Sequence, residues 1–100
     1  MPLAALVDAL GMPRPNPTSG KVGFDVAVSL ASAGVPLTCS IFDVSGRLVR
    51  RLLTDRAASS GRRTLEWDLL DGTGRGVKSG QYFVRLKLGG RLLSRSVTVN

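Results

Sequence analysis

The chain has 100 residues with no histidine and one cysteine, and those two facts decide most of what chemistry it can perform. No imidazole is available as a general base, as the partner of a nucleophilic serine or cysteine, or as a metal ligand. Cys39 falls within the alternating apolar run Val35, Leu37, Cys39 and Ile41, which reads as a small buried hydrophobe and not as an activated thiol. The carboxylates closest together in sequence are Glu66, Asp68 and Asp71. Glu66 and Asp68 fall on one side of an expected strand and Asp71 in the following turn, a solvated face and a turn former without the arrangement proton transfer needs.

The segment DLLDGTGRGVKSG, residues 68–80, is a superficial match to two ligand loops. A Ca²⁺ loop needs several alternating oxygen ligands and a distal acid, and here Asp68 and Asp71 are followed only by Thr73. A phosphate-cradling loop needs its glycines between a strand and a helix with a correctly placed Lys-Ser. Lys78-Ser79 is present, but the preceding spacing is wrong and no helical pattern follows. The glycines read as backbone positions in a loop that crosses between sheets. No catalytic residue, metal ligand or cofactor is therefore expected, and the chain is not expected to be an enzyme.

Charge points to possible partners. The net charge of +7 rests on 14 Lys and Arg against 7 Asp and Glu, a balance compatible with nucleic acid, an anionic membrane or an acidic polysaccharide. The arginines are spread along the chain, and only Arg50-Arg51 and Arg62-Arg63 are adjacent, so they read as solvated strand faces. Phe83, Arg85 and Lys87 share one side of a strand, too few positions to make nucleic acid an expected partner.

The elements that must position these residues are strands. Val22, Phe24, Val26, Val28 and Leu30 alternate with Gly23, Asp25, Ala27 and Ser29, a period of two that specifies one buried face. The run 35–44 repeats the pattern, with Phe42 and Val44 out of phase, which implies a strand covered on both faces or a bulge. Asp43-Val44-Ser45-Gly46 is turn chemistry leading directly into RLVRRLL, so a hairpin is expected. Leu65, Trp67 and Leu69 define a further strand. Tyr82, Val84, Leu86 and Leu88 define another, and Gly89-Gly90 turns into the last. No helical stripe of ten residues occurs and no internal repeat is evident. Short alternating strands at this spacing predict an all-β, immunoglobulin-like β-sandwich of six to seven antiparallel strands.

Residues 14–100 carry this pattern as one domain. Residues 1–13 read as an apolar lead-in or linker, in which Leu3, Leu6, Val7 and Leu10 sit at helical spacing and allow one or two helical turns. The segment is too short to span a bilayer and lacks the basic leading region of a signal peptide.

Taken in order, PNPTSG at 15–20, SIFDVSGRLVRRL at 40–52 and WDLLDGTGRGVKSGQYFVRL at 67–86 resemble the C-terminal sorting domain of proteins exported by the type IX secretion system. The same pattern is similar to the immunoglobulin-like domain of the flagellar hook-capping protein. The most specific parts are Asn16-Pro17, Asp43 with Gly46 and Arg47, Trp67, Asp71-Gly72 with Gly74, and Gly80 leading to Tyr82. The resemblance implies a seven-stranded sandwich in which these residues are structural, with Trp67 filling the core and Gly46 and Gly80 permitting turns. Thr18 stands where the family usually has a bulkier residue.

The resemblance further implies a non-catalytic module that directs an upstream secreted passenger to or across the bacterial outer membrane. Its partners would be secretion or attachment machinery, and its location secreted or at the cell surface. The alternative is a self-assembling subunit of an extracellular or phage-like assembly, with neighbouring subunits joined when the segment before Arg14 adds as a strand to a free sheet edge. In either case the C-terminal hairpin is where recognition is expected, with Arg85, Lys87 and Arg95 as the candidate recognition face.

Overall fold

The computed structural model describes residues 7–100 and contains seven strands. They are β1 (Ala9–Leu10), β2 (Val22–Val28), β3 (Leu37–Asp43), β4 (Leu48–Asp55), β5 (Gly61–Trp67), β6 (Gly80–Leu88) and β7 (Arg91–Val99), with a 3₁₀ turn at Leu30–Ser32. Two antiparallel sheets result, one of order β1-β2-β5 and one of order β4-β3-β6-β7. Their inner faces pack to form an immunoglobulin-like sandwich.

Alternation places the core where it was expected. Val22, Phe24, Val26 and Val28 from one sheet meet Leu37, Cys39, Ile41, Val84, Leu86, Leu88, Val97 and Val99 from the other. Cys39 lies at the centre of the larger sheet, fully buried, and loss of solvent pushes its thiol pKa up to about 12. It is an inert core residue.

Two local readings are corrected, and a third is resolved. Leu30 does not continue the β2 face, because the chain leaves the strand after Val28 and exposes Leu30 in the 3₁₀ turn. Leu69 does not continue β5, because the strand ends at Trp67 and Leu69 adopts φ 64°. The out-of-phase Phe42 keeps the unbroken β3 register against β6 and faces outward, where Arg85 covers its ring. The register shifts opposite Cys39/Ser40 and Ile41/Phe42 place their extra residues, Leu52 and Val49, in β4.

The segment before Arg14 also differs from expectation. Ala9–Leu10 is a strand paired with Ala27 and Val26 of β2, not a helical turn, while Leu3 and Leu6 lie outside the described residues. Leu10 sits in the core. The neighbouring Asp8 side chain accepts hydrogen bonds from the Ser29 amide (2.8 Å) and the Ser32 hydroxyl (2.6 Å) and pairs with Arg91 at 3.3 Å. Burial alone would push the Asp8 pKa up, but these donors and the arginine outweigh it and hold it below the ordinary carboxylate value. Within the described residues this segment completes the chain's own three-stranded sheet.

Candidate functional site

The residues of the resemblance converge on one end of the sandwich. Trp67 is fully buried and meets Tyr82 edge-on, with ring centroids 5.4 Å apart. Its indole N–H donates to the Leu70 carbonyl at 2.9 Å, and the Tyr82 hydroxyl donates to the Lys78 carbonyl at 2.7 Å. These two aromatic side chains tie down both ends of the long β5–β6 connection. Burial, with the nearby Asp43 charge, raises the Tyr82 pKa, so the phenol stays a neutral donor. Gly80 enters β6 with φ 145°.

Two loops at this end, one between β3 and β4 and one between β5 and β6, form a structural repeat that the sequence does not display. Asp43-Val44-Ser45-Gly46-Arg47 and Asp71-Gly72-Thr73-Gly74-Arg75 fold into the same loop twice. In the first, Asp43 Oδ1 accepts from the Ser45 amide (2.9 Å), the Ser45 hydroxyl (2.6 Å) and the Arg47 amide (3.0 Å). In the second, Asp71 Oδ1 accepts from the Thr73 amide (2.9 Å), the Thr73 hydroxyl (2.6 Å) and the Arg75 amide (3.1 Å). The backbone bonds also match: Gly46 and Gly74 N–H donate to the Asp carbonyls, and each Asp N–H donates to the Arg carbonyl.

Gly46 and Gly74 adopt φ 84° and 86°, a region where a Cβ would be strained. The hydroxyl bonds from Ser45 and Thr73 lead the causes that hold both carboxyls below the ordinary value. Gly72 donates its N–H to the Val49 carbonyl at 2.9 Å, fixing the second loop to the β4 edge.

Asn16 and Thr18 close the opposite edge of the larger sheet. The Asn16 carboxamide donates to the Ser96 carbonyl (3.1 Å) and accepts from the Thr98 amide (2.9 Å). Two residues on, the Thr18 amide donates to the Thr98 carbonyl (2.9 Å) and the Asn100 amide donates to the Thr18 carbonyl (2.8 Å). Four consecutive edge bonds therefore clasp the C-terminal half of β7. Pro17 stands between the two clasping residues, where no N–H is required. Thr18 is buried, so a small side chain fills the position where the family usually has a bulkier one.

The three basic residues expected to form one face are divided by register. Arg85 pairs with Ser94 and Lys87 with Leu92, whereas Arg95 pairs with Val84, which points into the core. Arg95 therefore projects to the other side of the sheet, where its Nε donates to the Leu10 carbonyl at 2.8 Å. Arg85 is half-buried over the Phe42 ring, 4.5 Å from its centroid, with its Nε enclosed and without a partner among the described residues. Lys87 is exposed, and so are Gln81, Leu92, Ser94 and Ser96 on the same outer face. Among the described residues no three His, Cys, Asp or Glu side chains group in a way that could hold a metal ion.

A family model described as "Secretion system C-terminal sorting domain" matches residues 15–100. The chain belongs to that family. It is a sorting module of type IX secretion, whose family marks secreted or cell-surface proteins and implies an upstream passenger and secretion machinery. Among solved structures, the crystal structure of dimeric latent PorU from Porphyromonas gingivalis is similar over 96% of this sorting module, with 23% identity and a TM-score of 0.65. The module covers 10% of that chain, so the likeness is one of fold. No curated protein matches the sequence. No described helix is long and apolar enough to cross a membrane.

Proposed function

We propose that the sorting module is read through the outward side chains of the β6–β7 hairpin and contributes no chemistry of its own. The observation that carries this reading is the clasp. Asn16 and Thr18 occupy the backbone edge of β7 from Ser96 to Asn100, so an apparatus approaching that part of the strand meets side chains and not an unpaired ladder. The available side chains are Gln81 and Lys87 of β6 with Leu92, Ser94 and Ser96 of β7. Arg85 supports this face by covering Phe42, and Arg95 braces β1 from behind.

A passenger fused upstream of the chain tests this directly. Lys87→Ser, Ser94→Glu and Ser96→Glu together alter the outer face at exposed positions, where each change should cost no more than about 0.5 kcal/mol of stability. Delivery of the passenger to the cell surface should fail, while Arg62→Glu with Arg63→Glu on β5 should leave it intact. Normal delivery by the hairpin variant, with its fold verified by thermal unfolding, would show that the machinery reads another surface.

A further inference from the structure

The fold gathers positive charge that is scattered in sequence. An open groove of about 870 Å³ lies between the twin Asp-x-Ser/Thr-Gly-Arg loops and the start of β4. Its walls carry Arg47, Arg50, Arg51, Arg75 and Lys78 against Asp43 and Asp71. Each of those carboxylates spends one oxygen on three donors of its own loop. Arg50 is taken by Asp68 at 3.1 Å, and Arg47 only approaches Asp43 at 4.0 Å. Arg51, Arg75 and Lys78 are exposed and make no side-chain hydrogen bond or ion pair among the described residues.

Leu48 and Arg51 also line a second depression, of about 640 Å³, on the outer face of the four-stranded sheet. That depression adds Lys87, Arg85 over the Phe42 ring and Arg91, which is paired with Asp8, and has no carboxylate in its own lining. The two share a wall, so cations run continuously from the end of the sandwich across the sheet.

We propose that this track binds an anionic glycan, a polysaccharide carrying phosphate, sulfate or carboxylate groups along its length. A row of cations suits a ligand whose anions repeat, because each neutralised charge releases bound counterions. Guanidinium forks match all three oxyanions in geometry. Arg47 and Arg75 occupy equivalent places in two rigid loops, their backbone amides already held by Asp43 and Asp71, so less ordering is left to lose on binding. Thr38, half-buried in the second depression, supplies a neutral partner for a sugar hydroxyl.

A single-stranded nucleic acid is the poorer fit, because it needs exposed rings on which bases stack. Here Phe24, Trp67 and Tyr82 are buried, Phe42 lies under Arg85, and Phe83 is half-buried.

The test uses the full 100-residue chain and a heparin dodecasaccharide as probe, titrated at physiological ionic strength, and does not involve export. Measurable binding is expected, weakened by about tenfold or more in Arg51→Ser/Arg75→Ser/Lys78→Ser. The control Arg56→Ser/Arg62→Ser/Arg63→Ser loses the same charge elsewhere and should stay within about twofold, since charge removed beyond the screening length is felt little. Thermal unfolding establishes that both variants are folded. Equal losses in the two variants would reduce the effect to net charge and overturn the proposal, as would absence of binding to the unaltered chain. A thymidine oligonucleotide of matched charge, or vesicles of anionic phospholipid, binding as tightly as the glycan would overturn the ligand class.

Discussion

Replacing Asn16 by alanine should loosen the C-terminal strand without disturbing the core. The carboxamide makes two bonds to the β7 backbone, at 3.1 and 2.9 Å, and each such bond contributes about 0.5–1.5 kcal/mol net. Both are solvent-exposed, so water can take over part of the loss, and the lower half of that range applies: about 1–2 kcal/mol for the pair. In a domain of this size, 1 kcal/mol moves the melting temperature by about 4–8 °C, so a fall of roughly 4–16 °C is expected. Residue-resolved amide exchange localises the effect, because the Thr98 N–H loses its acceptor while the Val84 N–H, in the middle of the sheet, should be unchanged. Asn16→Asp keeps the acceptor for Thr98 but loses the donor for Ser96, and should fall between the two. Unchanged Thr98 exchange with a melting temperature within about 1 °C of the unaltered chain would refute the clasp.

Trp67→Ala removes a fully buried ring and the anchor of Leu70, and should cost about 3–5 kcal/mol in denaturant unfolding. Starting the chain at Arg14 removes Leu10 from the core together with the Asp8 bonds. It should cost about 3 kcal/mol or more, where loss of a mere linker would cost nothing. Asp43, Asp71 and Asp8 are held below the ordinary carboxylate value in the fold, so their contribution is complete at neutral pH and is lost as pH falls below about 4. Melting temperature against pH should therefore drop on the acid side, and Asp43→Asn with Asp71→Asn should flatten that drop while lowering the value at neutral pH.

Much of the architecture was legible because a period of two is a strong signal wherever one face is dry. β2, β3 and β6 each show it, and every apolar position the alternation marks within them is buried, with Ala27 and Ser40 of the opposite faces buried in addition. Trp67 and Tyr82 were legible as structural residues from the resemblance, though their partners, the Leu70 and Lys78 carbonyls, were not. β1 was illegible because two residues cannot display a period, and the accidental helical spacing of Leu3, Leu6, Val7 and Leu10 filled the gap.

Arg95 parts from Arg85 and Lys87 through parity. A two-residue turn at Gly89-Gly90 sets Leu88 opposite Arg91, which places Arg95 opposite Val84, and a shift of one residue reverses every side chain. Each of the twin loops reads in sequence as turn chemistry. Their identity emerged only from their matching hydrogen bonds, because the residues between Asp and Gly differ, Val-Ser in one and Gly-Thr in the other. The cationic track depends on β3 lying between β4 and β6, and that order is a long-range fact that local pattern does not contain.

Asp8 meets Arg91 at the start of β7, and Asn100 follows its end. Chain entry and chain exit are therefore separated by nine strand residues, about 30 Å at the rise of an extended strand. A passenger joined ahead of Asp8 hangs from the end that carries the Gly89-Gly90 turn, while the twin loops and the chain terminus project from the other. A bulky cargo at the turn end therefore need not shadow the part of the outer β6–β7 face, around Gln81 and Ser96, that lies toward the twin loops.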